Sequence, residues 1–310
     1  MLEKVNKFGK TKIFSKEAKS VEKYSSDKFS SLLYSGNLAK NEKNHGGARY
    51  NGLFKNPLDK FPLISIIMPN FNEKNLSKAI DSVLDQSYPN IELIVIDGGS
   101  GDEVTSLLGQ YGDDIDIWIS EKDKNLWDAW NKGFVLARGD FVGVVDSSNT
   151  LYKNSIDILK KYIISNDKFD FLCGTVKKDN RIYAGFRPHD IYKQFNIIPS
   201  TVVGFYIKLI SLKKVGLLNI NYTIQSDYDW LYRMIVINKM KGINTKSEEV
   251  FGDLGESNFS SKFSFFQRLL NELKIRLHNK QNKWILLYIF FGRIVMKSYK
   301  TTTELLKTKK

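Results

Sequence analysis

The chain has 310 residues, 42% of them apolar, and a net charge of +13, a composition suited to a soluble enzyme-sized domain with extensions. Its one cysteine, Cys173, excludes an internal disulfide and any cysteine-based zinc site, so nothing implies an oxidising compartment and the cytoplasm is the expected location. Charge is spread unevenly, +7 over residues 1–60, −4 over 61–260 and +10 over 261–310; this argues against a basic groove across the core, and no nucleic-acid partner is expected.

The N-terminal MLEKVNKFGKTKIF lacks the apolar stretch of a secretory signal. Residues 1–60 read as a basic extension, either solvated or making electrostatic contacts. Three apolar strands follow, Leu63–Met68, Ile91–Ile96 and Phe141–Val145, with helical segments between them. They break off into Pro69-Asn70-Phe71-Asn72, Asp97-Gly98-Gly99-Ser100 and Asp146-Ser147-Ser148-Asn149. An open parallel sheet of this kind binds ligands beyond the carboxyl ends of its strands, so the polar tips point at one site. Such residues also serve as plain turns and helix caps. For Asp97 the spacing separates the two readings: Asp102 is better placed to cap the next helix, which leaves Asp97 facing a ligand.

Within Asn75–Gln86, Leu76, Ile80, Val83 and Leu84 recur at helical spacing and form a face that packs on the sheet. Residues 115–120 alternate as a half-buried strand, and Glu121–Asn125 is a polar loop. A helix from Leu126 carries Trp127, Trp130, Phe134 and Ala137 at helical intervals; the tryptophans read as packing, with Asn131 and Lys132 at the edge of the site. A helix over Ser155–Ile164 and strands near Phe169–Val176 and Arg181–Gly185 come next. His45, His189 and His278 have no metal-like spacing.

Near the C-terminus, Phe266, Leu269, Leu270, Leu273 and Leu277 form an apolar stripe beside Arg268, Lys274 and Arg276. Trp284–Phe291 is an apolar run followed by Arg293 and Lys297, shorter than the roughly 20 residues that span a bilayer. Two partners fit this region. One is an anionic membrane surface, met peripherally on its inner face; the other is the main domain or a second subunit, onto which the helices fold.

The segments PLISIIMPNFN (62–72), SVLDQSYPNIELIVIDGGSGD (82–102), WISEKDKNLWDAWNKG (118–133) and ARGDFVGVVDSSN (137–149) resemble the family 2 glycosyltransferases. The resemblance covers residues 46 to 260 and is most specific over 62–149, where several motifs keep their order and separation. It implies a GT-A fold: α/β, with a Rossmann-like, mostly parallel open sheet flanked by helices over 61–260; the apolar stripe and charge described above make 261–310 a basic amphipathic C-terminal helical extension. It further implies an inverting glycosyltransferase, moving a sugar from a nucleotide-sugar donor to a hydroxyl of a glycan or lipid-linked acceptor in cell-surface polysaccharide synthesis.

By the same resemblance Pro69, Phe71, Asn72, Asp97, Asp123, Lys132 and Asp146 bind the donor. Phe71 lies against the nucleotide base, Asp97 accepts hydrogen bonds from it and Asp123 lines the same pocket. In 197–235, Asp227 of Gln225-Ser226-Asp227-Tyr228 matches the general base, with helix capping as the other reading of this residue. Phe251–Ser257 resembles a flexible Gly/Ser segment near the donor phosphates. Asp146 and its neighbours match the place of a divalent cation, Mn²⁺ or Mg²⁺, that bridges the two phosphates.

At that place the family shows Asn, a small residue and two aspartates, whereas this chain reads Asp146-Ser147-Ser148-Asn149. Asp146 then stands as a single carboxylate ligand, with Asn149 and Ser148 as neutral oxygens, or basic residues replace the cation as phosphate partners. The alternative function is a non-catalytic nucleotide- or glycan-binding relative that has lost the acidic metal motif.

Overall fold

The computed structural model describes residues 2–16, 44–58, 61–166, 168–193, 197–255 and 262–307. In chain order the strands are β1 (Leu2–Val5), β2 (Thr11–Phe14), β3 (His45–Gly46), β4 (Ile64–Asn70), β5 (Ile91–Asp97), β6 (Ile117–Ser120), β7 (Phe141–Val144), β8 (Thr150–Leu151), β9 (Phe171–Cys173), β10 (Thr175–Lys178), β11 (Arg181–Tyr183), β12 (Phe205–Lys208), β13 (Gly242–Asn244) and β14 (Val250–Asp253). The helices are α1 (Leu76–Leu84), α2 (Asp102–Gln110), α3 (Leu126–Leu136), α4 (Ser155–Ser165), α5 (Leu209–Val215), α6 (Ser226–Tyr232), α7 (Phe265–His278) and α8 (Lys283–Lys307).

The main sheet runs β13-β9-β12-β7-β4-β5-β6-β3. Strands β7, β4, β5 and β6 are mutually parallel, and β12 and β3 run against their neighbours. All seven residues of β4 and of β5 are buried, as expected of a parallel sheet covered on both faces. The period of two sorts their side chains. Ile64, Ile66 and Met68 pack with Leu76, Ile80 and Val83 of α1 and Ile156 and Leu159 of α4 on one face. Ile67 packs with Trp130 and Phe134 of α3 and Trp230 of α6 on the other. A Cβ on Gly133 would collide with Ile67 Cγ2, so α3 lies this close to β4 only because residue 133 lacks a side chain.

The expected boundary at residue 60 falls inside this packed unit. Strand β3 pairs with β6 at the sheet edge, and Lys55, 2% exposed, forms an ion pair with Asp116 at 2.6 Å. The β1–β2 hairpin is tethered by Lys7 to Asp81 at 2.5 Å, by Lys4 to Asp113, and by the Asn6 amide, which donates to the Leu84 carbonyl at 2.8 Å. The basic N-terminus thus spends part of its charge on carboxylates of α1 and of the turn after α2. Residues 17–43 lie outside the described residues.

Two local expectations are corrected. Helix α2 begins at Asp102 with Gly101 as its N-cap, so Asp102 supports the first turn through the helix dipole and not as the cap. The segment expected to be a flexible loop from Phe251 contains β14, which pairs with β8 and β10. Its residues Glu256 and Ser257 fall outside the described part. Helices α7 and α8 follow the sheet domain. Among the described residues no helix is long and apolar enough to cross a membrane.

Candidate active site

The carboxyl ends of β4, β5, β6 and β7 form one edge of the sheet, and most of the expected site residues lie along it. Asp97, at the end of β5, is fully buried. Its carboxylate accepts hydrogen bonds from the Asn70 amide at 2.7 Å, the Ser100 N–H at 2.9 Å, the Ser100 hydroxyl at 2.5 Å and the Ser120 hydroxyl at 2.6 Å. This corrects the expectation that Asp97 faces a ligand. Its oxygens are taken up by donors from the ends of β4 and β6 and from its own turn, so it locks three strand tips together. Pro69 is also buried, past the last register pair of β4 with β7, where its missing N–H goes unneeded. Its carbonyl accepts the Ser147 N–H at 3.2 Å, which ties the β7 turn to β4.

The groups left open lie just outside that lock. The Phe71 ring is 67% exposed, and a Cβ on Gly98 would lie 3.1 Å from both the Phe71 ring and an Asp123 carboxylate oxygen. Phe71, the bare Gly98 backbone and Asp123 therefore wall one slot. Asn72, at φ 52, donates its N–H to the Ser100 hydroxyl at 2.8 Å and holds the Phe71 turn in place. Burial pushes the Asp123 carboxyl up, and Lys132 opposes that shift from 2.6 Å. Lys132 also meets Glu121 at 2.7 Å, so it sits among the carboxylates beside the slot. Asn131 does not: it is buried, and its side chain bridges the backbone N–H and carbonyl of Leu218.

At the end of β7 the arrangement is different. Asp146 is half-buried, and its Oδ1 is buried with no hydrogen-bond partner. Burial pushes its carboxyl up to about 7; the negative charge of Asp227 adds to the shift, and the Trp130 indole N–H opposes it. Trp130 is packed at 1% exposure, as its helical spacing implied, yet its Nε1 makes no full hydrogen bond. Its polar edge toward Asp146 is a role that periodicity alone does not reveal.

Asp227 lies in the first turn of α6 behind Gln225, which is the N-cap in a left-handed conformation at φ 64. The N-cap position thus belongs to another residue, whose side chain makes no capping hydrogen bond. The Asp227 carboxylate accepts the Tyr228 N–H at 3.0 Å and the Thr201 hydroxyl at 3.3 Å. These contacts and the helix dipole favour the charged form, while burial pushes the carboxyl up. Thr201, in the Pro199-Ser200-Thr201 turn, was not singled out from the sequence. Asp229 is not a second candidate base, because it is buried against Arg233 at 2.9 Å and Asn279 at 2.8 Å.

Among the described residues no group of three His, Cys, Asp or Glu side chains is placed to hold a metal ion. Asn149 is removed from the expected ligand set, since it is buried and its side-chain oxygen accepts the Gly255 N–H at 2.8 Å. Gly255 comes so close that a Cβ there would collide with the Ser148 carbonyl oxygen. Asp146 does suit a hard divalent cation: its partnerless carboxylate oxygen is of the right chemistry, and Mg²⁺-type ions are commonly held by one or two carboxylates and completed by substrate phosphates.

This edge of polar strand tips lies where open, mostly parallel α/β sheets place their ligands. A family model described as glycosyl transferase family 2 matches residues 65–241, and the chain belongs to that family. The chain is 29% identical over 195 residues to an uncharacterized glycosyltransferase of Rickettsia typhi, covering 58% of this chain and 60% of that one. It is 24% identical over 229 residues to a PGL/p-HBAD biosynthesis glycosyltransferase of Mycobacterium bovis, covering 70% and 88%. The chain spans about 60% of the length of the Rickettsia typhi and Rickettsia prowazekii relatives it matches.

Among solved structures, Staphylococcus aureus TarS 1–349 in complex with UDP-GlcNAc superposes with a TM-score of 0.56 at 16% identity, covering 69% of this chain and 66% of that one. The mannosyltransferase PcManGT from Pyrobaculum calidifontis, in complex with GDP-Man and Mn²⁺, superposes with a TM-score of 0.53 at 14% identity, covering 83% and 81%. The fold is GT-A.

Proposed function

We propose that the protein is an inverting glycosyltransferase that moves a sugar from a nucleotide-sugar to a hydroxyl of a glycan or lipid-linked acceptor, in cell-surface polysaccharide synthesis at the cytoplasmic face of a membrane. The observation that carries this reading is one strand edge bearing an aromatic-walled slot, Phe71 with Gly98 and Asp123, and beyond it two interacting carboxylates, Asp146 and Asp227. The slot suits a nucleotide base that lies on the Phe71 ring with Asp123 as acceptor. Lys132 fixes Asp123.

Asp227 is the base. Inversion needs one carboxylate to take the acceptor proton as its oxygen bonds to the anomeric carbon and the bond from that carbon to the diphosphate breaks. Its contacts with Thr201 and Tyr228 hold the carboxylate in one orientation, and its burial raises its basicity. The partnerless carboxylate oxygen of Asp146 would hold Mg²⁺ or Mn²⁺, which when bound would neutralise charge on the diphosphate leaving group. The family membership and the GT-A neighbours that bind UDP-GlcNAc or GDP-Man support this reading.

The neutral Ser148 and the committed Asn149 favour a second reading, a relative that binds nucleotide or glycan without catalysis. One experiment separates the two. Nucleoside diphosphates are screened for thermal stabilisation with and without Mn²⁺, and the matching nucleotide-sugar is then assayed for nucleoside diphosphate release. Stabilisation with release supports the transferase, stabilisation without release under any acceptor supports the binding relative, and no stabilisation by any nucleotide overturns both donor assignments.

A further inference from the structure

Among the described residues, about half of the exposed large apolar side chains lie on α7 and α8. Helix α8 turns Trp284 (79% exposed), Tyr288 (81%), Phe291 (59%) and Val295 (66%) outward at positions i, i+4, i+7 and i+11, one continuous stripe. Its other side meets the protein at the buried Leu286 and through Arg293, which pairs with Glu272 of α7 at 3.0 Å. Helix α7 behaves alike. Leu269, Glu272, Ile275 and Arg276 are buried, while Phe266, Leu270 and Leu277 are exposed. Leu269 therefore leaves the stripe in which the sequence pattern had grouped it.

Charge decides what covers this surface. From Leu273 to Thr303 the sequence holds no Asp or Glu and seven Lys or Arg residues. Arg276 and Arg293 pair with Glu272, and Lys280, Lys283 and Lys297 are exposed. A second copy docked across a two-fold axis would bring this positive rim against itself. An anionic lipid surface complements it, and the aromatics of α8 are of the kind that settle in the headgroup layer. Hydrogen bonds from α7 and from the turn after it tie this end of the molecule to the flanks of Asp227. Asn271 donates to the Ile224 carbonyl at 2.5 Å and Gln281 to the Tyr228 hydroxyl at 3.1 Å, both flanking Asp227.

We infer that the exposed stripe of α8, with its lysines, docks on an anionic membrane, and that the acceptor delivered to Asp227 is a lipid-linked glycan embedded in it. The acceptor clause rests on the transferase reading; the docking surface does not. The test uses the full chain, sedimented with vesicles of phosphatidylglycerol or of phosphatidylcholine alone. It compares wild type with Trp284→Ser/Tyr288→Ser/Phe291→Ser and with Lys283→Glu/Lys297→Glu. These side chains are exposed, so melting temperature and nucleoside diphosphate affinity are expected to stay at wild-type values.

The expected result is selective binding to the anionic vesicles, reduced about tenfold or more in both variants and weakened by salt. Transfer to a vesicle-borne lipid-linked acceptor is expected to fall in parallel, with release of nucleoside diphosphate in water unchanged. Equal vesicle binding by wild type and both variants overturns the docking surface. So does a dimer in sedimentation velocity that the triple variant dissolves, which would assign the stripe to a second copy. Vesicle binding without nucleoside diphosphate affinity upholds the surface and overturns the transferase reading alone.

Discussion

Asp97 and Asp146 both follow an apolar strand of the same parallel sheet and both precede small polar residues, yet their surroundings are opposite. Asp97 accepts four hydrogen bonds within the fold and is fully buried. Asp146 keeps a buried oxygen without a partner and faces a second carboxylate. A carboxylate saturated by neutral donors stabilises the loops that supply them. One left partnerless beside another negative charge is held ready for a cation or a proton. Under the proposed function, the strand tip that acts is the one the fold fails to satisfy.

The largest expected effect tests the partner that makes Asp146 unusual. Asp227→Asn removes proton abstraction while the amide keeps the size of the side chain and can still accept from Tyr228. Transfer is expected to fall by about 10²–10⁴-fold, with melting temperature and nucleoside diphosphate affinity near wild type. Steady-state kinetics with the true acceptor checks this, and a fully active variant would remove Asp227 as base. The same substitution is expected to lower the Asp146 pKa, because it deletes the nearby negative charge.

Asp97→Ala comes next and should act on the fold. It strands the Asn70 amide, both Ser100 donors and the Ser120 hydroxyl in a buried place, a loss of about 3–5 kcal/mol in unfolding free energy. Urea denaturation measures it. A variant that folds as stably as wild type but binds no nucleotide would reverse the assignment and return Asp97 to the ligand.

Much of this contrast was legible in the sequence, and the rest was not for definite reasons. The strands of 62–145 are continuous apolar runs and their tips are polar, so the sheet and its working edge follow from local pattern. Which tip is saturated does not follow. The donors to Asp97 come from Asn70, 27 positions away, and from Ser120, 23 positions away, and only the register of β4, β5 and β6 brings them together. Asn149 likewise has a ligand-type oxygen in the sequence, and only the fold brings Gly255, 106 positions on, to donate to it. The place of Asp227 in α6 was legible to within a residue. Its separation from the capping role depended on the left-handed Gln225, which no propensity for Gln indicates.

Asp146→Asn gives a smaller effect with a definite pH signature. The folded carboxyl titrates at about 7, well above its ordinary value of 3.8, so the folded state holds a proton that the unfolded chain has released. Stability contributed by this group is full below the ordinary value, falls as pH rises toward 7 and is flat above. The neutral amide of the variant carries no such penalty. Wild type and variant should match in stability near pH 3, and the variant should be more stable at pH 8, by up to about 4 kcal/mol for a rise of this size. Thermal melts across pH check this. Added nucleoside diphosphate with Mn²⁺ should stabilise wild type more than the variant, since only wild type offers the carboxylate oxygen.

Phe71→Ala should produce the smallest change and the cleanest separation of site from scaffold. The ring is 67% exposed and joins neither face of the core, so its removal should leave unfolding free energy within about 0.5 kcal/mol of wild type. Its value lies in what it offers a ligand: a π face beside Gly98 and Asp123 on which any nucleobase can stack. Base–aromatic stacking at its lower end is worth about 1 kcal/mol, so nucleoside diphosphate affinity should fall about fivefold, with the same factor for uridine and guanosine forms. Calorimetric titration reads that number. Loss for one base alone would point to hydrogen bonding as the source of affinity, and an unchanged affinity would move the nucleotide away from the β4 tip and leave the proposed site resting on Asp146 and Asp227.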